Sequence, residues 1–339
     1  HRFRGHDDPL GYTASVTRYA FPGALSRTMT DPTPEPSTAM SAQTSTYTMA
    51  TPTRFTRKAV RCISPGGLHR LSYLEWGHAD NPRVLVCVHG LTRCARDFDC
   101  LAQALQADYR VICPDVVGRG RSDWLLDPKG YVIPQYVADM VTLLARLNVE
   151  SVDWFGTSMG GLIGMSLAGL PKSPVRKLLL NDVGPRVTES SLTRIGAYLG
   201  LNVRFKTFDE GLAYLKTISA SFGPHTPEQW RELNTAILKP QGGEWILHYD
   251  PRLAEPFKSA TPELIAAGEA TLWKLFEAIP SEVLIVRGAQ SDLLTRETVE
   301  AMMQRGQHVN TVEIPDVGHA PTFIQPDQVA IARKFFLGQ

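Results

Sequence analysis

Short apolar runs recur along the chain from residue 55 onward, and helical stripes fall between most of them. Val84 to Val88, Val111 to Cys113, Val152 to Phe155, Lys177 to Leu180 and Val283 to Val286 carry few polar interruptions, as expected of parallel strands buried on both faces. Phe98, Leu101 and Leu105 share one helical stripe, and Tyr136, Met140, Leu143, Leu144 and Leu147 form another behind Pro134. Thr295 is placed to cap a helix that carries Val299, Met302 and Met303 and stops at Gly306. This alternation predicts an α/β fold with a mostly parallel sheet and helices on both faces. Ligands of such sheets gather at the carboxyl ends of the strands.

Three segments depart from the rhythm. Val60 to Ile63 and Leu71 to Trp76 flank Ser64-Pro65-Gly66-Gly67 and read as an antiparallel hairpin at the sheet edge. Residues 185–279 are mostly helical in composition and rich in aromatic residues, among them Tyr198, Phe205, Tyr214, Phe222, Trp230, Trp245 and Trp273. They read as a helical cap inserted between two parts of one core, 53–184 and 280–339. Most of these rings are expected to pack with one another, and Trp245 is a candidate substrate contact. Residues 1–52 are rich in Ser, Thr and Pro and show neither period, so they are expected to lack fixed structure, with Met49 a sensible starting residue. Arg2, Arg4, Arg18 and Arg27 are offset by Asp7 and Asp8, and no apolar signal core accompanies them.

The chemistry concentrates where strands end. Val152-Asp153-Trp154-Phe155 runs into Gly156-Thr157-Ser158-Met159-Gly160-Gly161, so a G-x-S-x-G pentapeptide follows a strand and opens a helix. That context holds a serine hydroxyl clear of the sheet on a sharp turn, and Ser158 is the candidate nucleophile. Serine is a weak nucleophile near neutral pH, so an imidazole must take its proton and a carboxylate must orient that imidazole. His319 follows the strand Val312-Glu313-Ile314 through Pro315-Asp316-Val317-Gly318, and it is the candidate base. Asp292, in Ala289-Gln290-Ser291-Asp292 after the strand before that, is the candidate acid. Asp182, in Asn181-Asp182-Val183-Gly184-Pro185, is the alternative acid; Asp115, Asp153 and Asp316 fit less well. The amides of Leu91 and Met159 are candidate oxyanion donors, with His89 structural in the same loop. Arg93, just beyond, is a candidate partner for a substrate carboxylate.

Charge and composition exclude other classes. With 35 basic and 34 acidic residues the formal net charge is +1, which gives no general attraction to nucleic acid. No apolar run is long enough to span a bilayer. The five cysteines, Cys62, Cys87, Cys94, Cys100 and Cys113, contain no Cys-x-x-Cys pair, so a reduced, cytoplasmic protein is expected. No close set of metal-ligating residues is present, and no metal is expected. The glycine-rich turn from Asp115 to Ser122 lacks the Lys-Ser/Thr pair of a phosphate-binding loop.

Taken together, His89-Gly90, the turn from Asp115 to Ser122, the pentapeptide around Ser158, Arg287-Gly288 before Asp292, and Gly318-His319 resemble the α/β-hydrolase superfamily over most of residues 55–339. The resemblance implies an eight-stranded sheet whose second strand is antiparallel, a cap after the sixth strand, and chemistry without a cofactor. Asn181-Asp182-Val183-Gly184-Pro185 and Gly318-His319-Ala320-Pro321 look like those of bacterial esterases and lactonases. Ser158 sets aside the epoxide hydrolases and haloalkane dehalogenases, which use an aspartate there. Leu91-Thr92-Arg93-Cys94 departs from the Gly-Pro-Gly stretch usual in carbon–carbon hydrolases. The expected activity is hydrolysis of a small to medium carboxylic ester or lactone through an acyl-enzyme. Perhydrolysis, carbon–carbon cleavage and ligand sensing on the same fold are the alternatives, and no oligomeric state follows from these residues.

Overall fold

The computed structural model describes residues 55–338. The expectations for residues 1–52 fall outside the described residues.

Two long strands, β1 (Phe55–Ser64) and β2 (Gly67–Trp76), pair antiparallel with Ser64 opposite Gly67, so Pro65-Gly66 forms a two-residue turn. The chain then alternates through β3 (Val84–Val88), α1 (Asp99–Leu105), β4 (Arg110–Pro114), α2 (Ile133–Leu147), β5 (Val152–Thr157), α3 (Met159–Ala168) and β6 (Val175–Asn181). Between β6 and the next core strand come α4 (Glu189–Tyr198), β7 (Arg204–Phe205), α5 (Phe208–Ile218), α6 (Pro227–Thr235), β8 (Leu238–Gln241), β9 (Glu244–Leu247), α7 (Glu255–Lys258) and α8 (Pro262–Glu277). The core resumes with β10 (Glu282–Gly288), α9 (Arg296–Arg305), β11 (Val309–Ile314) and α10 (Pro326–Leu337).

The eight core strands form one sheet in the order β1-β2-β4-β3-β5-β6-β10-β11, and only the pairs involving β2 are antiparallel. Central strands are apolar throughout because both of their faces are covered. In β3, Val84, Val86 and Val88 join the cluster that contains Trp154 and Ile163, whereas Leu85 and Cys87 join the cluster on the other face with Phe98 and Phe336. The stripe of α2 behaves as its period requires, with Tyr136, Met140, Leu143, Leu144 and Leu147 all buried, and the helix ends at Asn148 in a left-handed conformation. The Thr295 hydroxyl accepts from the Thr298 amide and caps α9.

The insertion is not wholly helical. β7, β9 and β8 form a small antiparallel sheet, turned at Gly242-Gly243, both of which have positive φ. The last helix, α8, packs on α3 of the core, where Leu275 passes so close to Gly169 that no side chain fits there. We call the elements from α4 to α7 the cap. No helix among the described residues is long and apolar enough to cross a membrane.

Candidate active site

Ser158 sits between β5 and α3 with φ 51° and ψ −115°, a conformation that a residue with a side chain adopts only when its surroundings impose it. Those surroundings are visible. The Ser158 amide donates to Asn181 O at 3.0 Å, and its carbonyl accepts from the amides of Gly161 and Leu162 at 2.8 and 3.1 Å. The sharp bend also brings α3 against its neighbours: a side chain on Gly156 would strike the Gly160 backbone, and one on Gly160 would strike Val88. The glycines of the pentapeptide therefore permit close approach of backbone to backbone.

His319 reaches this serine from the loop after β11. Its Nε2 lies 3.0 Å from Ser158 Oγ, and its Nδ1 lies 2.7 Å from Asp182 Oδ2. A carboxylate only accepts, so Nδ1 carries the proton and Nε2 is left to accept from the serine hydroxyl. The loop is pinned to the cap, since Gly318 N donates to Ser221 O and Ser221 Oγ donates to His319 O, at 2.7 and 2.5 Å.

Asp182, not Asp292, stands behind the imidazole. Asp182 is fully buried at the end of β6, and its carboxylate accepts from Gly288 N (2.8 Å), Ser291 Oγ (2.6 Å) and His319. Asp292, the acid expected from the order of strands, turns outward and forms a two-pronged pair with Arg194 of α4, Nε and Nη2 at 2.7 and 2.9 Å. Burial acts to raise the Asp292 carboxyl, but the hydrogen bond and charge of Arg194 outweigh it and hold the group below its usual value. The difference arises because β6 and β10 are neighbours, so a carboxylate at the end of either strand could meet an imidazole delivered by the β11 loop. Ser291, one residue before Asp292, supplies a hydroxyl to Asp182 instead.

The remaining candidates divide. Leu91 and Met159 both border the space in front of Ser158 Oγ. His89 is fully buried, donates through Nδ1 to Gly90 O and accepts at Nε2 from Val116 N. Burial drives its pKa down to about 3, so it is a neutral brace for the loop that ends in Leu91. Arg93 does not present a free guanidinium. It grips Asp97 through Nε and Nη2 (2.9 and 2.8 Å), and it ties the core to the cap through Asn234 Oδ1 (2.9 Å) and Leu233 O (2.7 Å). Trp245 packs edge-on against Phe208, ring centres 5.3 Å apart, inside the cap and away from the serine cavities.

Arg93 is therefore a clamp. Arg93→Ala would strand the largely buried Asp97, whose carboxyl burial already pushes upward, and is expected to cost about 3 kcal/mol in urea unfolding. The Michaelis constants of anionic and neutral esters should shift together in that variant; a selective loss for anionic esters would contradict the clamp.

Two cavities meet at Ser158. One, of about 70 Å³, includes His319 with the polar groups of Arg194, Tyr198, Ser219 and Tyr249. The other, of about 300 Å³, is apolar and is walled by side chains such as Tyr136, Leu162, Val187, Leu192 and Phe257. Cap and core residues contribute to both. Elsewhere, Cys62, His69 and Asp139 gather at the hairpin. His69 and Asp139 share a 3.0 Å hydrogen bond there, and burial raises the Cys62 thiol to about 12, which keeps it protonated.

Residues 85–332 match the alpha/beta hydrolase family. The chain is 74% identical over 283 residues to a 3-hydroxybutyrate-oligomer hydrolase of Cupriavidus necator, a match that covers 82% of this chain and 97% of that protein. It is 26% identical to a 3-oxoadipate enol-lactonase of Acinetobacter baylyi, over 76% of this chain and 88% of the other. Among solved structures, an alpha/beta hydrolase from Novosphingobium aromaticivorans is 36% identical with a TM-score of 0.72, over 83% of this chain and 97% of that one.

Proposed function

Because this chain belongs to the alpha/beta hydrolase family and hydrolyses carboxylic esters, we propose that its substrates are short linear oligomers of a 3-hydroxyacid such as 3-hydroxybutyrate. The observation that carries the reading is the 74% identity, sustained across nearly the whole length of a relative that bears that activity in its name. The site suits such a substrate. An internal ester of the oligomer, lying on Ser158, would place a short branched apolar unit in the larger cavity and the more polar remainder beside Arg194, Tyr198 and Tyr249.

In the mechanism we assign, His319 takes the proton of Ser158 as Oγ attacks the ester carbonyl, and the carbonyl oxygen becomes an oxyanion held by the amides of Leu91 and Met159. The imidazolium, steadied by Asp182, gives the proton to the departing alkoxide oxygen, which leaves as the hydroxyl end of the shortened oligomer while the acyl group stays on Ser158 as an ester. A water then loses a proton to His319 as it attacks that ester, and the imidazolium passes the proton to Ser158 Oγ as the acid leaves, which restores the serine.

The test is turnover of the linear 3-hydroxybutyrate dimer and trimer beside 4-nitrophenyl butyrate and γ-butyrolactone. The proposal expects kcat/KM for the trimer to exceed that for the lactone by on the order of 100-fold, since contacts beyond the reacting ester add transition-state binding that a single small ring lacks. A preference for the lactone would overturn it.

A further inference from the structure

The glycine-rich turn after β4 contains a cation that the steps above do not use. Arg119 is 0% exposed and, among the described residues, makes no ion pair, although buried guanidinium groups are costly unless paired. Every partner is neutral. Nε donates to Leu91 O at 2.8 Å, Nη1 to Val117 O at 2.8 Å and to Tyr136 Oη at 2.9 Å, and Nη2 lies 3.3 Å from Met159 Sδ. The ring of Tyr136 lies under the same group, 5.0 Å from its central carbon.

Two of these partners are the residues whose amides we assign to the oxyanion. They arrive from separate loops, one after β3 and one after β5, and Arg119 touches both. The glycines on either side of it are anchored to the cap side, where Asp250 N donates to Gly118 O at 2.8 Å and Gly120 N donates to His248 O at 2.9 Å. A group whose hydrogen bonds fix one loop and whose end packs on the other sets the distance between two donors. Its charge, which has no ion partner among the described residues, is buried beside both segments.

We propose that Arg119 is a positioning residue of the oxyanion hole, holding the Leu91 and Met159 segments in register for the tetrahedral intermediate. The inference rests on the assignment of those two amides.

The experiment compares Arg119→Gln and Arg119→Lys with the parent enzyme on 4-nitrophenyl butyrate, after circular dichroism and thermal melting establish that each is folded. Arg119→Gln should lower kcat about 100-fold with KM changed less than about threefold, the signature of an interaction made in the transition state. Arg119→Lys keeps the charge without the fork and should fall between the two. Should the Arg119 variants fail to fold, the double variant Tyr136→Phe/Met159→Leu removes two of the partners with little change of shape, and is expected to lose about tenfold in kcat. A kcat within about threefold of the parent in Arg119→Gln, or in the double variant where Arg119→Gln does not fold, or a loss confined to KM, overturns the inference. A crystal structure of the parent enzyme with a trifluoromethyl ketone separates the two levels. An adduct oxygen away from the Leu91 and Met159 amides defeats the assignment and the inference together; an oxygen on those amides beside an unchanged kcat in Arg119→Gln defeats the inference alone.

Discussion

Asp182→Asn is expected to lower kcat/KM for a simple ester by on the order of 10⁴-fold, the size of loss seen when the orienting carboxylate of a serine triad becomes an amide. The reason lies in the proton on the imidazole. An asparagine in the same place can turn its NH2 toward His319 Nδ1, which drives the proton to Nε2 and leaves that nitrogen unable to accept from Ser158 Oγ. Gly288 N would still find an oxygen, so the backbone around the site has little cause to move. Asp292→Asn supplies the contrast. It breaks a pair in which both side chains are substantially exposed, and such pairs are worth up to about 1 kcal/mol, so kcat/KM should stay within about fivefold of the parent. Steady-state kinetics on the two variants side by side reads the difference directly. Equal losses in both, or a larger loss in Asp292→Asn, would remove Asp182 from its assigned role.

Ser158→Ala is expected to cost more, about 10⁶-fold in kcat, because it deletes the atom that forms the acyl-enzyme and leaves only a water reaction supported by the oxyanion donors. Substrate affinity should survive, since both cavities keep their other walls. Two readings check this result: turnover, and mass spectrometry of protein mixed with ester and quenched within a turnover. The parent should gain the mass of the acyl group on the peptide that contains Ser158, and the variant should gain none. Acylation elsewhere in the variant, with turnover preserved, would place the nucleophile on another residue.

The parts of the fold that are plain in the sequence are those where burial leaves no choice of residue. β3, β5, β6 and β10 lie inside the sheet with both faces covered, so each reads as an apolar run, and the stripe of α2 reads as a helix because one face alone is buried. The serine bend is equally plain, because Gly156 and Gly160 are required by backbone packed on backbone. The small sheet of the cap is different. Its strands are two to four residues long, too short to show a period, and the Gly242-Gly243 turn between β8 and β9 was the available signal.

The site residues that escape the sequence are those decided by direction rather than position. Asp182 and Asp292 occupy equivalent ends of neighbouring strands, and which carboxylate faces inward depends on Arg194, more than 90 residues away in the chain, drawing Asp292 toward the cap. Arg93 stands where a substrate contact belongs, yet four of its five N–H groups are bound to Asp97, Leu233 and Asn234, two of which sit on a cap helix distant in sequence. Arg119 lies in the glycine-rich turn from Asp115 to Ser122, which the sequence marks as part of the family resemblance and not as a phosphate loop. Nothing local marks its guanidinium as buried between two other loops.

The central claim is that the Asp182 carboxylate holds the proton on His319 Nδ1, and proton NMR of the resting enzyme in water reads that proton. A 2.7 Å hydrogen bond between an imidazole N–H and a carboxylate should give a resonance well downfield of the amides. The account predicts that the signal persists in Asp292→Ala and disappears in Asp182→Ala. Its survival in Asp182→Ala, or its loss in Asp292→Ala alone, would contradict the account.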